Sequence, residues 1–185
     1  MMKVLAVTGY KPFEIGIFKQ DDKALVYIKK TIEKRLISLI DEGLEWILIS
    51  GQLGAELWTA EVAYMLREEY PELKVAVITP FYDQEKKWKE PNQELYEAVL
   101  AQADYETSLT HRPYESPLQF KQKNQFFIQK SDALMLLYDP ETEGSPKYML
   151  DAAEKRREKD GYPIYFITMD DLRATVEEED SRYNT

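Results

Sequence analysis

Short apolar runs rich in β-branched residues alternate along the chain with longer stretches that are apolar only at every third or fourth position. The short runs, at residues 3–7, 46–50, 74–79, 133–138 and 164–168, show no polar alternation, as expected of parallel strands buried on both faces. Residues 105–109 form a weaker sixth candidate. Within residues 21–42, Leu25, Ile28, Ile32, Leu36, Leu39 and Ile40 repeat at helical spacing, with Asp21 and Asp22 at the start and Gly43 just past the end. Further helices are predicted over residues 55–70 (ending before Pro71), 92–102, 117–130 and 146–159 (stopping at Asp160-Gly161). Strand and helix in turn predict an α/β fold, a Rossmann-like three-layer sandwich with a mainly parallel sheet covered on both faces. Residues 1–175 read as a single domain without repeats or linkers, and residues 176–185 as a frayed acidic polar tail.

Composition narrows the class of protein. At 185 residues the chain is long enough to bury a core of its own. It has no cysteine and one histidine, which excludes a disulfide framework and thiolate metal sites, so no metal is expected. No apolar run approaches the roughly 20 residues needed to cross a bilayer, and the start lacks the pattern of a secretory signal, so no membrane insertion and a cytoplasmic location are expected. The net charge of −10, from 24 basic and 34 acidic residues, argues against nucleic acid as a partner. A small molecule or a protein is the expected partner. A homodimer is compatible with the sequence, although no pattern specifies one.

In an open parallel sheet, ligands bind beyond the carboxyl ends of the strands, where the strand order reverses. After the first strand come Thr8, Gly9 and Lys11. After the second, Ser50-Gly51-Gln52-Leu53-Gly54-Ala55-Glu56 leads into a helix whose free amides and dipole suit an anion, with glycines allowing close approach. A tight turn with no ligand is the plainer reading of the same residues. Two readings of Glu56 stand side by side: an acceptor for ribose hydroxyls, or a charge that merely complements the helix dipole. Neither a G-x-G-x-x-G fingerprint nor a phosphate-binding P-loop is present. Phe81 and Tyr82 are placed to stack on a base or to pack at the rim. Gly144, Ser145 and Lys147 are placed to complete an anion cradle, with Ser145 also a natural N-cap. On the fourth helix, within the one basic and amide-rich stretch, Lys123 and Asn124 point to a ligand-facing role, while Phe127 and Ile128 read as core. For catalysis, carboxylate acid-base work by Glu56 or Asp83 has no supporting motif, and Glu56 is the weak candidate.

Three segments, VLAVTGYK at residues 4–11, ISGQLGAE at 49–56 and NQFFIQKSDALMLLY at 124–138, resemble the SLOG superfamily of Rossmann-like proteins, which includes the DNA-processing and Log-type groups. Nearly the whole chain is similar to its YpsA family. The resemblance implies a pocket for a nucleotide-derived ligand, of the NAD or ADP-ribose kind, with Thr8, Gly9, Gly54, Glu56 and Asn124 at matching positions; Gly51, Gln52, Gly144 and Ser145, chosen above from their turns, complete nine candidate ligand residues. It also implies a link to a cell-division protein. Log-type hydrolases carry G-G-x-G-T-x-x-E where this chain has Gly144-Ser145-Pro146-Lys147-Tyr148, so Tyr148 replaces the glutamate and phosphoribohydrolase activity loses its support. DNA-processing relatives bind single-stranded DNA, which the net charge argues against here. The leading expectation is a protein that binds and senses a nucleotide-derived ligand. Its rivals are a hydrolase acting on an N-glycosidic or phosphate-ester bond, and a scaffold with a vestigial pocket.

Overall fold

A computed structural model describes residues 2–183. Six strands, β1 (Val4–Gly9), β2 (Trp46–Ile49), β3 (Lys74–Thr79), β4 (Tyr105–Ser108), β5 (Ala133–Leu137) and β6 (Ile164–Ile167), make one sheet in the order β4-β3-β2-β1-β5-β6. Every adjacent pair is parallel. The helices α1 (Ala24–Asp41), α2 (Ala55–Leu66), α3 (Glu90–Gln102), α4 (Leu118–Lys130), α5 (Lys147–Asp160) and α6 (Met169–Tyr183) alternate with the strands, which is the expected Rossmann-like α/β fold.

The apolar runs become the core. Leu5, Ile47, Ile49, Val75, Val77, Leu134 and Leu136 are wholly buried, as two-sided coverage by helices requires. The chain steps from β1 to β4 in one direction and then jumps back to β5. Right-handed crossovers therefore put α1, α2 and α3 on one face and α4 and α5 on the other. The contacts of α1 with α2, of α2 with α3, and of α4 with α5 follow that division. At the opposite edge from the strands' carboxyl ends, the Asp132 carboxylate accepts the N–H groups of Lys3 and Val4 at 3.0 and 2.9 Å, fixing where β1 begins.

Two differences from the sequence expectation concern element ends. β1 continues through Thr8 and Gly9, so these are the last strand residues rather than a loop. The acidic stretch expected as a frayed tail is helical through Tyr183; Asn184 and Thr185 lie outside the described residues. α6 sets Met169 and Leu172 against the core at its start and is tied to α1 farther along by charge pairing: Lys30 meets Glu179 at 3.5 Å and Lys34 meets Glu178. Between them Thr31 Oγ1 donates to Thr175 Oγ1 at 2.7 Å in a buried contact. Replacing Thr175 with valine removes this bond and is expected to cost about 1 kcal/mol, a fall of roughly 2 to 4 °C in thermal midpoint. An unchanged midpoint in a melting experiment would show that the contact contributes nothing. Among the described residues no helix is long and apolar enough to cross a membrane.

Candidate functional site

The reversal of strand order between β1 and β5 leaves a crevice above their carboxyl ends, the place where open α/β sheets take ligands. It opens into a cavity of about 1130 Å³. The end of β1 supplies Thr8, Gly9 and Lys11, the turn after β2 supplies Gln52 and Glu56, α4 supplies Lys123 and Asn124, and α5 supplies Ser145 and Tyr148 from its first turn and approach. The cavity then runs on as a groove between α4 and α5, past Ile128, Ala152 and Lys155.

Six of the nine sequence-selected ligand residues line this space: Thr8, Gly9, Gln52, Glu56, Asn124 and Ser145. The other three, Gly51, Gly54 and Gly144, support it from behind. Gly54 has φ 93° and ψ −133°, and a Cβ there would lie 2.2 Å from the Tyr10 carbonyl oxygen. Its missing side chain makes room for the neighbouring loop, not for a ligand. The Ala55 N–H, one of the helix-start amides expected to be free, donates to that same carbonyl at 3.1 Å. Gly51 (φ 86°) faces Tyr96 and Gln84, and a Cβ on Gly144 would meet a Glu14 oxygen at 2.6 Å.

Glu56 turns inward and is 3% exposed. Its Oε1 accepts the Ser50 N–H at 2.7 Å and the Ser50 hydroxyl at 2.8 Å. The Ser50 carbonyl in turn accepts from Gln84 Nε2 at 2.7 Å, and Gln52 Nε2 donates to Gln84 Oε1 at 3.1 Å. The turn is thus held by a closed polar network, with Tyr96 beneath it, whose hydroxyl is pushed up to about 12 by burial. Sequence reading missed Gln84, and no local signal marks it.

Ser145 does not cap α5; the helix starts one residue later, after Pro146. Instead the Ser145 N–H and hydroxyl both donate to the Glu14 carboxylate at 2.8 Å, which also accepts the Lys11 N–H at 2.9 Å. Burial raises the Glu14 pKa, but these hydrogen bonds outweigh it and hold the carboxyl below its usual range. The chain's own carboxylate therefore occupies the cradle expected to take a ligand anion. Tyr10, its ring 5.3 Å from that of Tyr138, ties the same two loops by accepting the Asp139 N–H at 2.9 Å. Glu14 lies three residues after Lys11, the spacing of a capping box, and that is the only signal by which it was legible.

Lys123 is 7% exposed and makes no hydrogen bond or ion pair with any described residue; its ammonium lies 5.6 Å from the centre of the Phe127 ring. Burial pushes its pKa down, the facing Glu56 carboxylate opposes this, and Lys11 adds to it. Beside it, the buried Asn124 Oδ1 has no hydrogen-bond partner. Phe81 packs against Tyr114 and Phe120 at 5.1 and 5.3 Å, and neither Phe81 nor Tyr82 lines the cavity, so the base-stacking alternative is set aside for rim packing.

A doubly wound parallel sheet with a cavity at its switch point defines a Rossmann-like ligand-site architecture. Within that class the chain belongs to the YpsA family: the family model described as "YspA SLOG family" matches residues 5–172. It is 84% identical over 178 residues to the UPF0398 protein YpsA of Bacillus subtilis, covering 96% of this chain and 99% of that protein. A UPF0398 protein of Bacillus velezensis is 86% identical over 179 residues, covering 97% and 98% of the two chains. Among solved structures, DNA processing protein A from Helicobacter pylori, described by its single-stranded DNA binding mode, superposes with a TM-score of 0.53 at 15% identity. The match covers 89% of this chain and 64% of the length of that one. This corrects the expectation that net charge excludes nucleic acid, because a protein of the same fold binds single-stranded DNA. The whole-chain charge of −10 does not describe the cavity, where Lys11, Lys121, Lys123, Lys155 and Lys159 gather.

Proposed function

We propose that the cavity binds a nucleotide-derived small molecule of the NAD or ADP-ribose kind. The observation that carries this reading is a pair of unpartnered polar groups on adjacent residues that line one cavity: the buried Asn124 Oδ1 and the Lys123 side-chain nitrogen. A buried polar group without a partner costs about 1 to 3 kcal/mol, and a ligand that supplies a donor to one and an acceptor to the other recovers that loss. Thr8, Gln52 and Glu56 add hydroxyl-binding capacity, and Lys11 and Lys121 add positive charge for a phosphate. At about 1130 Å³ the cavity is as large as small-molecule and cofactor sites commonly are, at roughly 300 to 1,000 Å³. The family resemblance extends the reading to a cell-division protein that engages the loaded form.

Thermal denaturation with NAD, ADP-ribose, AMP and a short single-stranded oligonucleotide tests it. A ligand at 100 times its dissociation constant adds about 2.7 kcal/mol, a rise of roughly 5 to 11 °C for a chain of this size. The rise is expected for a dinucleotide-like ligand and should shrink in Asn124→Ala. No rise with NAD or ADP-ribose overturns the proposal, and a rise with the oligonucleotide alone replaces it with a nucleic-acid site.

A further inference from the structure

We propose that Lys123 is a nucleophilic amine that captures the aldehyde of a phosphorylated open-chain sugar as an imine. Among the described residues Lys123 is the one buried lysine. The lysines of α1, by contrast, are partly exposed or paired: Lys29 with Glu61, Lys30 with Glu179 and Lys34 with Glu178. Lys123 has no such partner, although it lines a cavity large enough for a small metabolite. A lysine becomes a nucleophile when it is held neutral, by apolar surroundings and by a second cation nearby. Both conditions are met here: Lys123 is 7% exposed beside the wholly buried Phe127, and Lys11 lines the same cavity from the end of β1. Burial depresses its pKa in the same sense, the Glu56 carboxylate opposes this, and Lys11 adds to it.

The neighbours fit the rest of the chemistry. The neutral amine nitrogen attacks the aldehyde carbon; a proton moves from nitrogen to the resulting alkoxide, giving a carbinolamine. The nitrogen lone pair then expels the hydroxyl group, which leaves as water after taking up a proton, and the carbon–nitrogen double bond remains. The sum is amine plus aldehyde giving imine plus water, with no oxidant or reductant. Glu56, which lines the same cavity, is the group to carry the proton between nitrogen and oxygen. Thr8 and Asn124 offer hydrogen bonds to the sugar hydroxyls, and Lys11 offers its charge to the phosphate. This capture uses the same cavity as the nucleotide reading but does not depend on it.

The test is reductive trapping. The folded protein is incubated with ribose 5-phosphate and cyanoborohydride, and the adducts are located by peptide mass. One adduct per chain is expected, with Lys123 labelled at least 10-fold more than any exposed lysine, and with that adduct absent in Lys123→Arg. Access alone would give the reverse order, since Lys123 is the least exposed lysine, so labelling spread according to exposure overturns the proposal. Absence of any adduct overturns it as well. Because the decisive comparison is made within the unaltered protein, it stands whether or not the variant folds. Labelling at Lys123 without a nucleotide-dependent rise in melting temperature would sink the nucleotide reading and leave this one standing.

Discussion

Gly54→Ala is expected to lower the thermal midpoint by roughly 8 to 16 °C, the largest effect of any single methyl group added to this turn. Two costs combine. An L-residue at φ 93°, ψ −133° sits outside the regions that side chains tolerate, a strain of about 2 kcal/mol. The new Cβ would also lie 2.2 Å from the Tyr10 carbonyl oxygen and 2.9 Å from the Lys11 Cα. Both are backbone atoms of a loop pinned by Tyr10 and Glu14, so relief requires moving the loop, for about another 2 kcal/mol. The total of about 4 kcal/mol corresponds to the stated fall at 2 to 4 °C per kcal/mol. Differential scanning calorimetry checks it, and a loss below about 2 °C would show that the loop yields freely. Loss of ligand binding in this variant would therefore report a displaced Lys11 rather than a blocked contact.

Glu56→Ala carries the second large effect and decides between the two readings of that residue. If Glu56 only complemented the dipole of α2, its removal would cost about 0.3 to 1 kcal/mol. Its carboxylate instead accepts both the N–H and the hydroxyl of Ser50, a wholly buried residue. Truncation leaves these donors without an acceptor, for about 3 kcal/mol, or roughly 6 to 12 °C. Glu56→Gln keeps an amide oxygen for the same two donors and should lose less than half as much. Equal losses in urea titrations of the two variants would mean that charge, and not hydrogen bonding, is what Ser50 requires.

The fold was legible where its signal is local. Runs such as Ala133–Leu137 have no polar position because helices cover both sides of a strand that lies inside the sheet, between β1 and β6. Two kinds of residue escaped. The stretch 176–183 read as a solvated tail because its helix presents few apolar residues and docks through Glu178 and Glu179 to lysines 144 and 149 positions earlier. Such pairing leaves no periodicity in the sequence. The glycines were found, but their purpose was inverted: a glycine signals close approach without saying of what, and at Gly54 the approaching group is the Tyr10 carbonyl. Asn124 and Lys123 were singled out as basic and amide residues beside core positions, and the structure brings both to the cavity. Ser145 was chosen as an anion contact without sight of Glu14, which is 131 residues away in sequence.

The Glu14 carboxylate at the start of α5 governs how the cavity should respond to ionic strength. With the helix-end amide of Ser145 already satisfied from within, attraction for an anion rests on lysine side chains at two depths. Lys121 and Lys155 stand exposed on the rim, where a Debye length of about 8 Å at 0.15 M salt mutes them. Lys11, half-buried at the end of β1, is partly shielded from that screening. Added salt should therefore weaken the long-range gathering of anions at the mouth while leaving recognition in the interior largely intact, so that binding slows before it loosens.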